Sequence, residues 1–172
     1  MRNIIYSVAM SLDGYISGPN GENDWIIIDP DINFESLMGR FDTYLMGRKT
    51  FEVTGNGGTM PGSRIVVVSR TLRQEDSPNI KIISNNLKKE ITELREESGK
   101  EIWLFGGGSL FRSLLDLGLV DGIEVSIIPI LLGAGTPLLL PSEDRAQLKL
   151  MGSHVYDKTG TVTLEYVIDK SA

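Results

Sequence analysis

The sequence lacks cysteine altogether and has a single histidine, His154. Disulfide bonds and thiolate metal sites are therefore excluded, and one histidine cannot form a histidine cluster for a metal within one chain. We predict no metal site, and we assign His154, which lies in a strand-like run, a structural or surface role rather than a catalytic one. The absence of cysteine also fits a reducing cytoplasm.

A basic cluster and a long apolar run are also missing. The formal net charge is −6, and no group of Lys and Arg residues forms a nucleic-acid footprint. No run of 18 apolar residues exists, and the first residues lead directly into a strand-like segment instead of a signal peptide. We therefore expect a cytoplasmic protein that binds neither nucleic acid nor membranes.

A glycine-rich junction in residues 101–117 is the most informative feature present. An apolar run of strand type ends at Phe105, three glycines follow, and apolar residues then recur at helical spacing. Glycines let the backbone approach a ligand closely, and a helix start offers unpaired N–H groups and a partial positive charge. The junction predicts a phosphate or nucleotide site. A tight strand–helix turn without a ligand is the alternative.

The order of the segments predicts the fold class. The length of 172 residues suits one domain, residues 1–172. Strand patterns alternate with helix patterns as far as residue 129, and an antiparallel hairpin follows over residues 149–156 and 161–169. We predict a three-layer α/β/α fold with a mainly parallel central sheet and an antiparallel C-terminal hairpin at its edge.

Several local predictions accompany this fold. Residues 3–10 read as a central strand buried on both faces, and residues 11–23 read as a long loop that can act as a lid. Asp29 or Asp31 can cap a helix that runs to about Phe41, and Asn85 or Asn86 can cap a helix over residues 87–98. Residues 55–62 read as a flexible loop.

Three predicted strand ends carry glycine or small polar residues. They are Gly47-Arg48-Lys49-Thr50, Ser69-Arg70-Thr71 and Gly106-Gly107-Gly108-Ser109. In a parallel sheet these ends converge on one edge, where they supply helix starts, hydroxyl groups and two arginines for phosphates. The set suits a dinucleotide, although neither the G-x-G-x-x-G fingerprint nor a P-loop is present.

Five segments together resemble the dihydrofolate reductase-like superfamily, and most closely the reductase domain of the bacterial riboflavin-biosynthesis deaminase/reductase. In chain order they are Ala9-Met10-Ser11-Leu12-Asp13-Gly14-Tyr15-Ile16, Met46-Gly47-Arg48-Lys49-Thr50-Phe51, Val67-Val68-Ser69-Arg70, Phe105-Gly106-Gly107-Gly108-Ser109-Leu110 and Pro129-Ile130-Leu131-Leu132-Gly133-Ala134-Gly135-Thr136-Pro137-Leu138. They cover almost the whole chain, and the last segment is typical of the riboflavin branch.

The resemblance implies NADPH as the cofactor and assigns residues to it. Ala9 and Ile16 would meet the nicotinamide carboxamide through their backbones. Arg48, Ser69 and Arg70 would hold the adenosine 2′-phosphate. The pyrophosphate would be held by Thr50 and by the turn of Gly107, Gly108, Ser109 and Leu110, and Gly47 and Gly106 complete the cofactor-binding set. In that family the bond between the first two glycines is cis, so we expect a cis Gly106–Gly107 peptide here.

The substrate half of the site departs from the family pattern. The riboflavin reductases usually carry an acid before the paired glycines, where this chain has Phe105, and the zinc deaminase signature is absent. Asp31, and less so Asp29, falls in the region where folate reductases place their acid, but either can be a helix cap instead. Trp25 and Phe34 would stack on the substrate, although Trp25 can equally be core.

The resulting functional prediction is an NADPH-dependent reductase that acts on a small pterin-like or ribosylaminopyrimidine substrate. Dihydrofolate reduction is an alternative within the enzymes. A non-catalytic nucleotide-binding protein that kept the fold is the alternative of another class.

An apolar run with a proline inside, residues 127–132, predicts an edge strand. An exposed apolar edge is a liability that a second copy can cover through a two-fold interface. The resembling riboflavin reductases are dimers, so we expect a homodimer that uses residues 122–140. Burial of this run within its own sheet is the alternative.

Overall fold

The computed structural model of the chain describes residues 1–55 and 62–169. The first half contains β1 (Ile4–Ser11), β2 (Tyr15–Ser17), α1 (Phe34–Gly39), β3 (Phe41–Gly47), α2 (Arg48–Val53), β4 (Arg64–Val68) and β5 (Lys81–Ile83). The second half contains α3 (Leu87–Glu96), β6 (Glu101–Gly106), α4 (Gly108–Asp116), β7 (Gly122–Ile128), β8 (Thr136–Pro137), β9 (Gln147–Tyr156) and β10 (Thr161–Asp169). Most of the loop predicted over residues 55–62 lies outside the described residues.

Eight strands form the main sheet in the order β5-β4-β3-β6-β1-β7-β10-β9. The first six are mutually parallel, whereas β10 runs antiparallel to both β7 and β9. The short strands β2 and β8 pair separately. The predicted mainly parallel sheet with an antiparallel hairpin at its edge is therefore confirmed.

Helices pack on both faces of this sheet. On the first face, apolar side chains of α3 and α4, among them Ile91, Leu94 and Phe111, join the largest core cluster with residues of β1, β6 and β7. On the second face, Phe51 of α2 packs with Tyr44 and other residues of β3 and β4. The predicted three layers result from this division. The longest helix in the described ranges, α3, has ten residues, and none there has the length and hydropathy of a membrane span.

The central strand β1 is buried only in its first half. Ile4, Ile5 and Tyr6 are buried, and Tyr6 stacks on Phe111 with ring centroids 4.0 Å apart. Residues 7–10 are partly exposed; they pair with β7, whereas the pairing of β1 with β6 covers residues 4–6. The prediction of a strand buried on both faces therefore holds for the amino half alone, and the carboxyl half is partly exposed.

The helix α1 begins later than the sequence predicted. Its N-cap is Asn33, whose side chain accepts a hydrogen bond from the N–H of Ser36 at 2.9 Å, and it ends at Gly39. The prediction that Asp29 or Asp31 caps a helix to about Phe41 is therefore wrong. The Asp29 carboxylate is engaged in a turn, where it accepts from the N–H of Asp31 at 2.9 Å, and so the helix starts after this turn.

The helix α3 begins at the predicted place by a different mechanism. Asn86 is its N-cap, but its φ of +51° lies in the left-handed region and its side chain makes no capping bond. The Asn86 carbonyl instead accepts from the N–H of Glu90 at 3.0 Å. Asparagine tolerates this backbone conformation better than most residues, which explains its presence here.

The strand β7 lies inside the sheet, between β1 and β10. Ile128 is only 3 % exposed, so the end of this strand is buried within its own sheet. The prediction of an apolar edge at residues 127–132 is therefore wrong, because the proline follows the strand instead of marking an edge. The real edges of the sheet are β5 and β9.

The C-terminal hairpin agrees with the sequence pattern. The N–H of Gly160 donates to the carbonyl of Tyr156 at 2.8 Å and closes the turn between β9 and β10. His154 is exposed on β9, and its ring centroid lies 4.4 Å from that of Tyr156. This position is the one expected for a surface histidine.

A buried ion pair ties α3 to the amino ends of the central strands. The Nη2 atom of Arg95 lies 2.9 and 2.7 Å from the two carboxylate oxygens of Asp121, and its Nε donates to the carbonyl of Arg2 at 3.1 Å. Asp121 also accepts from the N–H of Ile4 at 2.9 Å. The side chains of Arg95 and Asp121 are 9 % and 17 % exposed, so little solvent screens the pair.

We predict that Asp121→Ala lowers the free energy of unfolding by about 3 kcal/mol, because it leaves a buried guanidinium without its partner. Urea denaturation of the variant measures this loss. The matched control is Glu97→Ala, which removes the exposed pair with Arg64 and should cost at most about 1 kcal/mol. Equal losses in the two variants would contradict the assigned role of the buried pair.

Candidate active site

The carboxyl ends of β4, β3 and β6 meet at one edge of the sheet. These strands are neighbours, and their last residues lie side by side, with Gly47 opposite Val68 and Met46 opposite Gly106. The structure therefore brings together the three segments that the sequence singled out, which follow directly after these strand ends. The convergence is a consequence of parallel pairing, since all three strands point toward the same edge.

The turn from β6 into α4 is made by two glycines in an extended arrangement. Gly106 has a φ of +144°, which side chains disfavour, and the Gly106–Gly107 peptide is cis, as the family resemblance implied. Thr50 Oγ1 lies 3.5 Å from the position that a Cβ on either glycine would occupy. The start of α2 therefore lies against this turn, and Thr50 is placed beside it.

The first turn of α4 has unpaired donors. Gly107 is the N-cap, and no side chain in the described part of the chain caps the helix. A Cβ on Gly108 would lie 3.2 Å from the carbonyl oxygen of Pro137, so the end of β8 packs directly on this helix start. Backbone N–H groups and the helix dipole make the site attractive to an anion.

The segment after β4 contributes a buried hydroxyl and an exposed arginine. Ser69 is buried, and its Oγ accepts from the N–H groups of Thr71 at 3.2 Å and Leu72 at 3.0 Å. This hydroxyl shapes the turn that presents Arg70. Arg70 is exposed and has no ion pair or side-chain hydrogen bond with the residues that the structure describes.

Arg48 is the other arginine at this edge. It begins α2, where its Nη1 lies 3.2 Å from a carboxylate oxygen of Glu52, one helical turn further on. Both side chains are exposed, so the pair contributes at most about 1 kcal/mol and can be exchanged for another anion. Arg70 is thus available to pair with an anion as it stands, whereas Arg48 must first leave Glu52.

Two loops cover the carboxyl end of β1, and Asp13 joins them. Its carboxylate accepts from Ser11 Oγ at 2.7 Å, from the N–H of Leu132 at 3.0 Å and from the N–H of Gly133 at 2.7 Å. These hydrogen bonds, the one from Ser11 first, lower the pKa of Asp13 to about 2. Sequence reasoning assigned Asp13 no role of its own, although an Asp-Gly pair after a strand is a turn signal.

The two predicted nicotinamide contacts, Ala9 and Ile16, lie in β1 and in the segment that follows it. Ala9 is in the partly exposed half of β1, and Ile16 is in β2, which pairs with β8. The loop predicted over residues 11–23 therefore contains a short strand. Gly135 passes so close that a Cβ there would lie 2.0 Å from the carbonyl oxygen of Ser17, which requires glycine.

The two candidate acids differ in what surrounds them. Asp29 is buried, and besides the N–H of Asp31 it accepts from the N–H and the hydroxyl of Thr159 at 3.1 and 2.9 Å. Burial opposes its charge, but these hydrogen bonds and Lys158 outweigh burial and lower the pKa of Asp29. Asp31 is exposed and lies 2.6 Å from the Nζ of Lys158, whose pKa its carboxylate raises.

The two predicted substrate contacts, Trp25 and Phe34, differ in how exposed they are. Trp25 is 9 % exposed, and its indole N–H donates to the carbonyl of Glu22 at 3.0 Å, so it anchors its own loop. Phe34 is 42 % exposed at the first position of α1. Among the ring contacts of the described residues, none joins these two side chains.

Comparison with solved structures defines the class of fold. A riboflavin-biosynthesis-like protein from Shewanella sp. PV-4 matches with a TM-score of 0.83 and 26 % identity, covering 99 % of this chain and 100 % of that one. Dihydrofolate reductase from Enterococcus faecalis, solved with NADP(H), matches with a TM-score of 0.73 and 16 % identity, covering 98 % and 97 % of the two chains. The fold is dihydrofolate reductase-like.

The family follows from the sequence. A family model described as the RibD C-terminal domain matches residues 2–162, so the chain belongs to that family. The uncharacterized protein YyaP of Bacillus subtilis (strain 168) is 36 % identical over 179 residues, which cover 96 % of this chain and 94 % of YyaP. The family resemblance predicted from the motifs is confirmed, and membership supports a reductase-type function.

We predict that Asp13→Asn lowers the urea midpoint of unfolding at neutral pH, because an amide cannot replace both charged acceptor oxygens. The pKa of Asp13 is depressed from its ordinary 3.8 to about 2, so its stabilising effect is present above about pH 4 and is lost as the pH falls toward 2. The difference between wild type and variant should therefore shrink over this range. Asp24 is an exposed acid in the segment after β2. The control Asp24→Asn should leave the midpoint close to that of the wild type, and a constant difference for Asp13→Asn would contradict the assignment.

Proposed function

We propose that the protein is an NADPH-dependent reductase that transfers a hydride to a small pterin-like or ribosylaminopyrimidine acceptor. The observation that carries the proposal is the uncapped start of α4, which the Gly106–Gly107 turn places beside Thr50 at the carboxyl edge of the sheet. Membership of the RibD C-terminal family and the fold shared with a reductase solved with NADP(H) support it.

The residues at this edge fit a dinucleotide with an additional phosphate. The first turn of α4, residues 108–110, would hold the pyrophosphate together with Thr50. Arg70 and Arg48 would pair with the 2′-phosphate, and Ser69 would hold the turn that presents Arg70. Ala9 and Ile16 would contact the carboxamide of the nicotinamide through their backbones. Bound NADPH supplies the hydride, and the protein supplies position and exclusion of water.

The cofactor preference gives the direct test. Arg70→Ala should weaken NADPH about tenfold or more, since a hydrogen bond to a charged group is worth about 1.5–3 kcal/mol. The affinity for NADH should barely change, because NADH lacks the 2′-phosphate. Fluorescence titration of both cofactors measures the two constants. Arg73→Ala is the matched control, since Arg73 is exposed nearby but pairs with Glu75. Equal affinity of the wild type for NADPH and NADH would contradict the proposal.

Asp31 is the proposed source of the proton. Of the two candidate acids, Asp29 has both oxygens engaged by the backbone and by Thr159, so a substrate cannot reach them. Among the residues that the structure describes, the Asp31 carboxylate pairs with Lys158 alone, in an exposed pair that a substrate can displace. Only Asp31 is therefore accessible for proton transfer.

We predict that Asp31→Asn lowers turnover about a hundredfold, in the range of general acid catalysis, while the affinity for NADPH stays at the wild-type value. NADPH oxidation with dihydrofolate and with a ribosylaminopyrimidine, assayed side by side, provides the measurement and identifies the acceptor. Asp24→Asn is the control for a lost charge in this region. Unchanged turnover in Asp31→Asn would assign the proton to another group.

We also propose a homodimer, with its interface on β9 instead of the region around β7 that the sequence predicted. The ten-residue strand β9 is an edge of the sheet, and Leu150, Met151 and Val155 on it are exposed. Its free backbone groups can pair with the same strand of a second copy, and a two-fold axis would cover both apolar edges at once.

We predict a dimer in sedimentation equilibrium at micromolar concentration, and a monomer when Leu150→Lys and Met151→Lys are combined, because two charges then face the interface. Leu131→Lys is the control, since Leu131 is exposed in the loop before β8. A monomeric wild type would refute the dimer. A dimer that persists in the folded double variant would move the contact away from β9.

A further inference from the structure

The two arginines proposed for the 2′-phosphate stand at one corner of the sheet. They follow the ends of β3 and β4, which pair in parallel as far as Gly47 and Val68. Phe51 of α2 and Leu72 after β4 pack against the same apolar cluster. The helix α2 and the segment after β4 are therefore anchored to each other, and their backbones hold both arginines at this corner.

A carboxylate stands at the same corner. Glu52 lies one turn after Arg48 in α2, and its carboxylate oxygen is 3.2 Å from the Nη1 atom of Arg48. The two side chains are 44 % and 49 % exposed, and within the described ranges Glu52 pairs with Arg48 alone. We call Arg48, Glu52 and Arg70 the 2′ corner.

The stability of α2 does not account for this carboxylate. The helix is held on the sheet by Phe51, which is 5 % exposed. Glu52 lies in the last turn, where the helix dipole disfavours negative charge, and an exposed ion pair contributes little to folding. The main effect of Glu52 therefore falls on the guanidinium of Arg48.

A phosphate that binds at the 2′ corner meets two obstacles from Glu52. It must compete with the carboxylate for the Nη1 group of Arg48 before it can use the full fork of the guanidinium. Once it is bound, two anions share one guanidinium and repel each other across a distance shorter than the Debye length. Both effects weaken a 2′-phosphate relative to a corner that holds the two arginines alone.

A ribose with a free 2′-hydroxyl meets neither obstacle. It carries no charge, so Arg48 can stay with Glu52, and a carboxylate oxygen can accept a hydrogen bond from the hydroxyl. In dinucleotide sites an acid is a common partner of a free 2′-hydroxyl, whereas an arginine accommodates a 2′-phosphate. The 2′ corner contains both kinds of side chain.

We propose that Glu52 is a specificity-determining residue of the cofactor site and that it narrows the preference of the protein for NADPH over NADH. It acts through Arg48, which it holds while no phosphate is bound, and through its own charge when a phosphate is bound. The inference rests on the proposed reductase function for the identity of the ligand. It goes further by assigning NADH as a second ligand of the same site.

Adenosine 2′,5′-bisphosphate and 5′-AMP are matched probes, since they differ only in the 2′-phosphate. Calorimetric titration gives both affinities without a nicotinamide. Glu52→Gln keeps the size and an acceptor oxygen but removes the charge, so we expect the ratio of the two affinities to rise about threefold or more. The affinity for 5′-AMP should stay within about twofold of the wild type. Glu52→Asp keeps the charge and should keep the wild-type ratio.

The matched control is Glu93→Gln. Glu93 is the acid of another exposed pair with four-residue spacing, with Lys89 on α3, which packs on the other face of the sheet. Its loss should change neither affinity. Salt provides a second check, because the Debye length falls to about 3 Å at about 1 M salt and the gain in Glu52→Gln should then disappear. A gain that persists at this salt concentration would overturn the electrostatic role of Glu52.

The outcomes separate the inference from the proposed function. An unchanged or lower ratio in Glu52→Gln, in a protein that binds the bisphosphate more tightly than 5′-AMP, would overturn the role of Glu52 and leave the cofactor site. A ratio that rises as expected, in a protein that oxidises NADPH with neither acceptor, would support Glu52 and refute the reductase. A wild type that binds neither NADPH nor the bisphosphate would refute both.

Discussion

The turn from β6 into α4 is the constraint on which the rest of the carboxyl edge of the sheet depends. Gly106 adopts a φ of +144°, and Gly108 packs where a side chain would meet Pro137 at 3.2 Å. These two glycines let α4 begin directly behind the strand end, with its first N–H groups uncapped. Because β3 lies beside β6, the same turn sets the position of Thr50. A bulkier residue at Gly106 would therefore displace the helix start and its neighbours together.

Two carboxylates hold the loops at the carboxyl ends of the central strands. Asp13 binds the N–H groups of Leu132 and Gly133, and Asp29 binds Thr159 at the tip of the C-terminal hairpin. Each carboxylate joins segments more than a hundred residues apart in sequence. The loops that follow β1 and β7 are consequently held in place, while residues 7–10 of β1 stay partly exposed.

Much of the fold could be predicted from the sequence, since periodicity and turn residues encode it locally. The C-terminal hairpin and the glycine turn after β6 lie where the sequence pattern predicted them. The partners that Asp29 finds in the distant Thr159 could not be predicted, so the helix cap was wrongly assigned to the acids instead of Asn33. The prediction of an apolar edge at β7 was wrong for the same reason, because the order of strands in a sheet depends on contacts between distant segments. The ring contacts of Phe105 with Tyr44 and Trp103 likewise depend on the pairing of distant strands.

We propose that NADPH binds at the carboxyl edge formed by β3, β4 and β6. Titration of isotope-labelled protein with NADPH, followed by amide NMR shifts, tests it residue by residue. We expect the largest shifts at residues 47–50, 69–70 and 106–110, with no change at the amino edge around Arg95 and Asp121. An absence of saturable shifts, or shifts confined to the amino edge, would contradict the account.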